Sequence, residues 1–86
     1  MKSISDSTLI YTHADVQYAI KRISKGWDGS VICRASLLRS QETLYLIGQS
    51  FINFAMKNEE SPIADYLYHE GRRLRIIAES VSHMFD

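Results

Sequence analysis

The chain has 86 residues, of which 45% are hydrophobic, and its ten Lys and Arg residues balance its ten Asp and Glu residues. A chain of this size forms one domain and buries only about 60–65% of the surface that it would expose unfolded, so its core is thin and oligomerisation is a common remedy. Zero net charge argues against a general binder of polyanions, and it lets copies of the chain associate without repulsion.

The N-terminal residues 1–8 are polar and rich in serine, so we expect a loose segment there. They lack the apolar run of a secretory signal, and no run of about 18 apolar residues exists anywhere that could span a membrane. Cys33 is the single cysteine and cannot form an internal disulfide, which favours a reducing compartment. The sequence therefore predicts a cytoplasmic protein in which Cys33 is a small buried thiol.

The first predicted helix covers residues 13–25. Thr12 is a suitable N-cap, and Asp15 follows it at the spacing of a capping box. Tyr11 is placed to act as a hydrophobic staple, and Gly26 favours a left-handed stop. Helical spacing gives this segment one apolar stripe, formed by Val16, Ala19, Ile20, Ile23 and Trp27.

The second predicted helix covers residues 31–58 and follows a short turn in which Asp28 or Ser30 can act as the cap. A polar run around Ser40 is the place where this helix could break. No Pro or Gly forces a break there, so a continuous helix is favoured. Gly48 lies within the apolar arc and predicts the close approach of another backbone, the alternative being that the helix simply tolerates it.

Residues 44–56 carry apolar groups over roughly 200° of the helix circumference, twice the width of an ordinary surface stripe. This breadth predicts a central helix with partners on two sides. The short first helix cannot cover all of a helix about 40 Å long. The uncovered arc, at Tyr45, Ile52 and Met56, is then available to a second copy, and a symmetric dimer is the commonest solution.

The third predicted helix covers residues 62–85, with Ser61 as its N-cap and Pro62 at its first position. Its apolar side is formed by Ile63, Tyr66, Leu67, Leu74, Ile77, Val81, Met84 and Phe85. The sequence as a whole predicts an all-α fold with three main helices, short links and antiparallel packing. Residues 1–86 form a single domain in this interpretation.

Glu70 is the one polar residue within the apolar side of the third helix. A carboxylate buried there would need a hydrogen-bond donor, which Tyr45, Lys2 or a second copy could supply, and it would then make pairing specific. The alternative is that Glu70 lies at the edge of the stripe and reaches water.

Motifs for catalysis or metal binding are not found. His69 and Glu70 begin the zinc-protease pattern H-E-x-x-H, but Arg73 stands where the second histidine is needed. There is no Cys-x-x-Cys pair, no nucleophile elbow and no phosphate-binding loop. We therefore expect no catalytic residue, no metal and no cofactor, and the chain is not predicted to be an enzyme.

Arg72, Arg73 and Arg75 form the densest positive cluster. The segment around them has an alanine, Ala64, with apolar residues at the spacings found in proteins that read DNA bases with a helix. These apolar residues are Ile63, Leu67, Leu74 and Ile77. This segment resembles the helix-turn-helix proteins, and the resemblance implies that the cluster contacts DNA bases or phosphates from a recognition helix. It departs from that pattern at Tyr68, where the turn glycine is expected, and at His69, where an apolar residue is expected.

The function predicted from these observations is a non-catalytic protein-interaction or regulatory module that acts as a homodimer by binding another protein. The alternative is a small helix-turn-helix-like DNA-binding regulator that uses the third helical region. The sequence leaves open whether the arginine cluster contacts DNA, an acidic protein or only solvent. A ribbon-helix-helix arrangement with residues 4–11 as a strand is disfavoured, because Ser5, Ser7 and Thr8 are a poor set for reading bases.

Overall fold

The computed structural model describes residues 13–85. Several of the sequence predictions lie outside these described residues: the cap at Thr12, the staple at Tyr11, the possible donor Lys2 and the possible strand at 4–11. None of the described residues forms a strand, which confirms the all-α prediction.

The described residues form three α-helices and a terminal 3-10 helix: α1 (His13–Lys25), α2 (Val31–Lys57), α3 (Ala64–Glu79) and the 3-10 helix (Ser80–Phe85). The predicted bounds of α1 are confirmed, and α2 ends one residue earlier than predicted. The third predicted helix begins two residues later than expected and changes to the tighter 3-10 geometry after Glu79. No helix among the described residues is long and apolar enough to cross a membrane.

The turn between α1 and α2 depends on two glycines with positive φ, Gly26 (78°) and Gly29 (91°), a conformation that other residues rarely adopt. The Ser30 hydroxyl then caps α2 by accepting the N–H of Cys33 at 3.1 Å. Asp28 accepts the N–H of Ser30 at 2.9 Å, and this hydrogen bond lowers the pKa of the Asp28 carboxyl. Ser30, one of the two predicted caps, is thus the residue that starts α2.

The start of α3 differs from its prediction, and the proposed cap at Ser61 is wrong. The Ser61 hydroxyl accepts the N–H of Ile63 at 3.3 Å in a local turn, and the Ser61 carbonyl accepts the N–H of Ala64 at 3.1 Å. Serine side chains often form such short-range bonds in competition with helix caps. The N-cap is Ile63, which offers no side-chain hydrogen bond, so Pro62 precedes the helix instead of opening it.

The long helix α2 is central and continuous through Ser40, which is buried. α1 packs antiparallel on its first half, and α3 packs antiparallel on its second half. The amide of Gln41 donates to the Ala78 carbonyl at 2.9 Å and to the Ser82 hydroxyl at 3.2 Å, which ties the end of α3 to the middle of α2. The shared core consists of Ala19, Ile23, Cys33, Leu37, Leu44, Ile47, Leu74, Ala78 and Val81.

The contact between α2 and α3 is closest at Gly48 and Gly71. A Cβ placed at Gly48 would lie 2.8 Å from the Gly71 carbonyl oxygen, and one at Gly71 would lie 2.6 Å from the Gly48 carbonyl oxygen. Both distances are shorter than carbon and oxygen atoms tolerate, so each glycine makes room for the other helix. The prediction that another backbone approaches Gly48 is confirmed.

The buried face of α3 is rotated relative to the predicted stripe. Ile63 and Tyr66, which were expected inside, are exposed, and small residues occupy most of the face towards α2. Its buried members are Ala64, Gly71, Leu74 and Ala78, continued by Val81 in the 3-10 helix. Small residues allow helix axes to approach closely, and large apolar side chains are left at the flanks of such a contact.

Candidate interaction surface

A groove of about 400 Å³ runs along the outer side of the contact between α2 and α3. We call it the α2/α3 groove, and its lining residues are Ile52, Met56, Tyr68, Arg72, Arg75, Ile76 and Glu79. It unites two sets of residues that the sequence analysis considered separately. The proposed dimer residues Ile52 and Met56 lie beside Arg72 and Arg75 of the arginine cluster.

The three proposed dimer residues are not equally accessible. Met56 is 64% exposed at the mouth of the groove, whereas Ile52 is only 8% exposed. Ile52 is covered by α3, because the missing side chain of Gly71 lets that helix lie directly over it. Tyr45, two helical turns before Ile52, is half-buried against the core. The expectation that Ile52 is left uncovered by the rest of the chain is therefore wrong.

The arginine cluster is divided between two sides of α3. Arg75 donates to the Gln49 amide oxygen at 3.1 Å, across to α2. The Arg72 guanidinium lies 5.9 Å from the centre of the Tyr68 ring, with a weak hydrogen bond of 3.4 Å to its hydroxyl. Arg73 is not among the residues that line the groove. Only Arg72 and Arg75 can therefore contribute to one binding surface there.

The helix-turn-helix geometry implied by the resemblance is wrong, because α3 continues without a turn from Ala64 to Glu79. Gly71, which lies near the expected turn, is helical and takes part in the contact with Gly48. The segment thus has no separate recognition helix. DNA binding through Arg72, Arg73 and Arg75 stays a prediction.

Glu70 lies at the edge of the buried face, with its side chain 23% exposed. It accepts two hydrogen bonds from Arg73, at 2.7 Å and 3.2 Å, and these bonds lower the pKa of the Glu70 carboxyl. The donor is thus a residue one turn along the same helix, and Tyr45 does not hydrogen-bond to Glu70. A role for Glu70 in specific pairing stays a prediction.

The corner between α1 and α2 contains the single thiol. Cys33 is buried, as predicted, and its Sγ accepts a hydrogen bond from the Arg22 guanidinium. Arg22 also donates to the Gly26 carbonyl at 3.3 Å. From the sequence alone, Arg22 is only a cation in the last turn of α1, where a positive charge suits the helix dipole. Its bridging contact could not be foreseen because it depends on the path of the intervening turn.

The opposite end of the molecule from Met56 is closed by aromatic packing. The rings of Trp27 and Phe85 meet edge to face, with 5.0 Å between their centres. The Arg34 guanidinium lies 4.7 Å from the centre of the Phe85 ring. Trp27, predicted to be interior, is partly buried against the core.

A second exposed apolar surface lies at the start of α2, and the sequence analysis missed it. We call it the α2 N-terminal patch, and it consists of Val31, Ile32, Ala35 and Leu38. Val31 and Ile32 are 81% and 83% exposed. The spacing of Val31, Ala35 and Leu38 could have indicated this patch, since it places all three on the side of α2 opposite the core.

A second hollow, of about 360 Å³, lies between α1 and α2. It is lined by Asp15, Tyr18, Ala19, Ser36, Arg39, Ser40 and Thr43. Within residues 13–85, no group of three or more His, Cys, Asp or Glu side chains converges to hold a metal ion. No protein family, curated protein or solved structure matches this chain.

Proposed function

We propose that the protein is a non-catalytic interaction module that acts as a homodimer and binds another protein. The observation that carries this proposal is the number of large apolar side chains left exposed by so small a chain. Among the described residues these are Tyr18, Val31, Ile32, Leu38, Leu46, Phe54, Met56, Ile63, Tyr66 and Ile76. Contiguous apolar surface on a small domain is typical of protein–protein contacts.

Two of these exposed regions have different chemistry. The α2/α3 groove combines the apolar Met56 and Ile76 with charges of both signs from Arg72, Arg75 and Glu79. The α2 N-terminal patch is purely apolar. We assign the first to self-association, where charge can fix the alignment of two copies, and the second to the other protein. A cytoplasmic location belongs to the proposal and is supported by the buried, unpaired Cys33.

Light scattering on the purified chain tests the homodimer. We expect a mass of about twice the 9.9 kDa of one chain at micromolar concentration. A monomer that persists up to about 1 mM, where even weak association would be visible, would remove self-association from the proposal.

Capture from an extract of the source cells tests the second partner. The wild-type chain is compared with the double variant Val31→Asp/Ile32→Asp, whose changes lie on exposed side chains and leave the core intact. Ala14→Asp, which also introduces an aspartate at an exposed apolar position but on α1, serves as the matched surface control. We expect one or more proteins of the extract to bind to the wild type and to the control, and not to the double variant. Equal capture by all three would count against the patch and against partner binding through it.

A further inference from the structure

The outer face of α3 carries five exposed residues at alternating spacings of four and three, Asp65, His69, Arg72, Ile76 and Glu79. This spacing places them in one row along the helix. The row lies away from Gly71, Leu74 and Ala78, which contact the rest of the molecule. It is therefore a second face of α3 that no element of residues 13–85 covers.

Charges alternate along this row at intervals of two helical turns. Asp65 and Glu79 are acidic and stand seven residues on either side of the basic Arg72. Among the described residues Glu79 forms no ion pair, and Arg72 forms none either, its guanidinium interacting with the hydroxyl and the ring of Tyr68. Ile76 lies between Arg72 and Glu79 and is 61% exposed. An apolar side chain between two available opposite charges is a common arrangement at the centre of a helix pair.

A second copy of the chain is the occupant that this charge pattern fits. If two α3 helices run antiparallel about a two-fold axis midway between Arg72 and Glu79, each arginine faces the partner's glutamate. The Arg72–Glu79 ion pair then forms twice, once on each side of the axis. Ile76 lies next to the axis, where it is buried against Ile76 of the second copy. A different protein would have to carry the complementary charges at the same two-turn interval, whereas a second copy carries them by symmetry.

Other alignments of the same two helices are less favourable. An axis at Arg72 would place the two arginines against each other and each Asp65 against a Glu79. An axis midway between Asp65 and Arg72 would also pair opposite charges. It would, however, centre the contact on Tyr68 and His69 and leave Ile76 at the periphery. Burial of the exposed isoleucine therefore selects the first alignment.

We propose that two copies of the chain pair antiparallel through the outer face of α3, with Ile76 beside the two-fold axis and reciprocal Arg72–Glu79 ion pairs across it. This inference rests on the homodimer of the proposed function and names its surface. Arg72, Ile76 and Glu79 also line the α2/α3 groove, so the proposed contact includes one wall of the groove, with Met56 of α2 in the same groove.

Charge reversal tests the pairing. Each single variant, Arg72→Glu or Glu79→Arg, gives residues 72 and 79 the same charge. The symmetric contact then contains two repulsive pairs in place of two ion pairs. We expect each to raise the dimer dissociation constant at least about tenfold. The double variant Arg72→Glu/Glu79→Arg restores opposite charges and is expected to return to within about threefold of the wild type. Arg39→Glu, the same charge change on the far side of α2, is the control and is expected to leave the constant unchanged.

Sedimentation equilibrium gives the dissociation constants, and circular dichroism checks that each variant remains helical. A wild-type dimer that the single reversals do not weaken, or that the double variant does not recover, overturns the α3 pairing while the homodimer stands. A wild-type chain that is monomeric overturns both. Loss of association in the Arg39→Glu control would also contradict the assigned surface.

Discussion

The α2/α3 contact and the α1/α2 contact are built in different ways. In the first, Gly48 and Gly71 bring two backbones together, and the small residues of α3 continue the close approach. In the second, a helix of 13 residues covers only the first half of α2 and leaves a hollow beside Ala19. Its alignment is fixed at the corner by Ser30 and by Arg22.

This difference explains where the exposed apolar surface of the molecule comes from. Where Gly48 and Gly71 bring the two backbones together, there is no room for a further large side chain between the helices. Met56 and Ile76 are therefore left outside the tight contact, where they line the α2/α3 groove. The close approach that stabilises one chain thus also leaves the surface to which we assign pairing.

The largest loss of stability is expected from a cavity within the α2/α3 side of the core. Leu74 is completely buried, and Leu74→Ala should lower the free energy of unfolding by about 2–5 kcal/mol. Because the total free energy of unfolding of a domain this small is of similar size, the variant should be largely unfolded. Urea denaturation followed by circular dichroism measures the effect. Tyr66→Ala, at an exposed position of the same helix, should cost about 0.5 kcal/mol or less.

The glycine contact is tested by adding a single methyl group. In Gly71→Ala the new Cβ would meet the Gly48 carbonyl and the side chain of Ile52. Overpacking of this kind costs about 1–3 kcal/mol and opposes a gain of about 1 kcal/mol from helix propensity, so we expect a net loss of up to about 2 kcal/mol. Ala35→Gly, exposed on α2, calibrates the propensity part. Stabilisation of the chain by Gly71→Ala would show that the helices are not in close contact there.

The corner between α1 and α2 should respond more weakly. Ser30→Ala removes the hydroxyl that accepts the N–H of Cys33, and loss of such a cap costs about 1 kcal/mol. Ser24→Ala, at an exposed position within α1, is the matched control and should change the stability little. Urea midpoints of the two variants give the comparison. Equal midpoints would mean that the cap does not stabilise the start of α2.

The smallest effect is expected at the exposed edge of α3. Because Arg73 lowers the pKa of Glu70 in the folded chain, the pair stabilises the fold above the ordinary carboxyl pKa, and this contribution is lost as the pH falls through the lowered value. Both side chains are partly exposed, so Glu70→Gln should cost only about 0.3–0.5 kcal/mol near neutral pH. At a pH well below that lowered pKa, the variant and the wild type should be equally stable. A difference that grows on acidification would contradict this sign.

Local patterns predicted the helices well because their signals lie within a few residues. The stripe from Val16 to Ile23 and the punctuation at Gly26 and Ser30 set the bounds of α1 and the start of α2. Gly48 was informative because glycine is unfavourable within a helix unless something needs the space. The contact partner of Gly48, Gly71, was missed because the buried side of the third helix was predicted from large apolar residues only.

The groove could not be predicted from the sequence, because it depends on how α3 is rotated about its own axis. The pattern placed Ile63 and Tyr66 inside and treated Arg72, Arg73 and Arg75 as one cluster. The small residues facing α2 turn the helix so that Ile63 and Tyr66 lie outside and the cluster is divided. Such a rotation is a property of the contact between two helices and has no signature in either alone.

Disulfide cross-linking at residue 76 tests most directly the claim that the chain pairs through the outer face of α3. Ile76→Cys places a thiol beside the proposed two-fold axis, within the short range that a disulfide requires. Ile63→Cys places one on the other side of the third helical region, and the unaltered chain controls for the buried Cys33. We expect a covalent dimer of about twice 9.9 kDa from Ile76→Cys under mild oxidation, with the other two chains remaining monomeric on a denaturing gel. A monomeric Ile76→Cys chain, or equal cross-linking at residue 63, would contradict it.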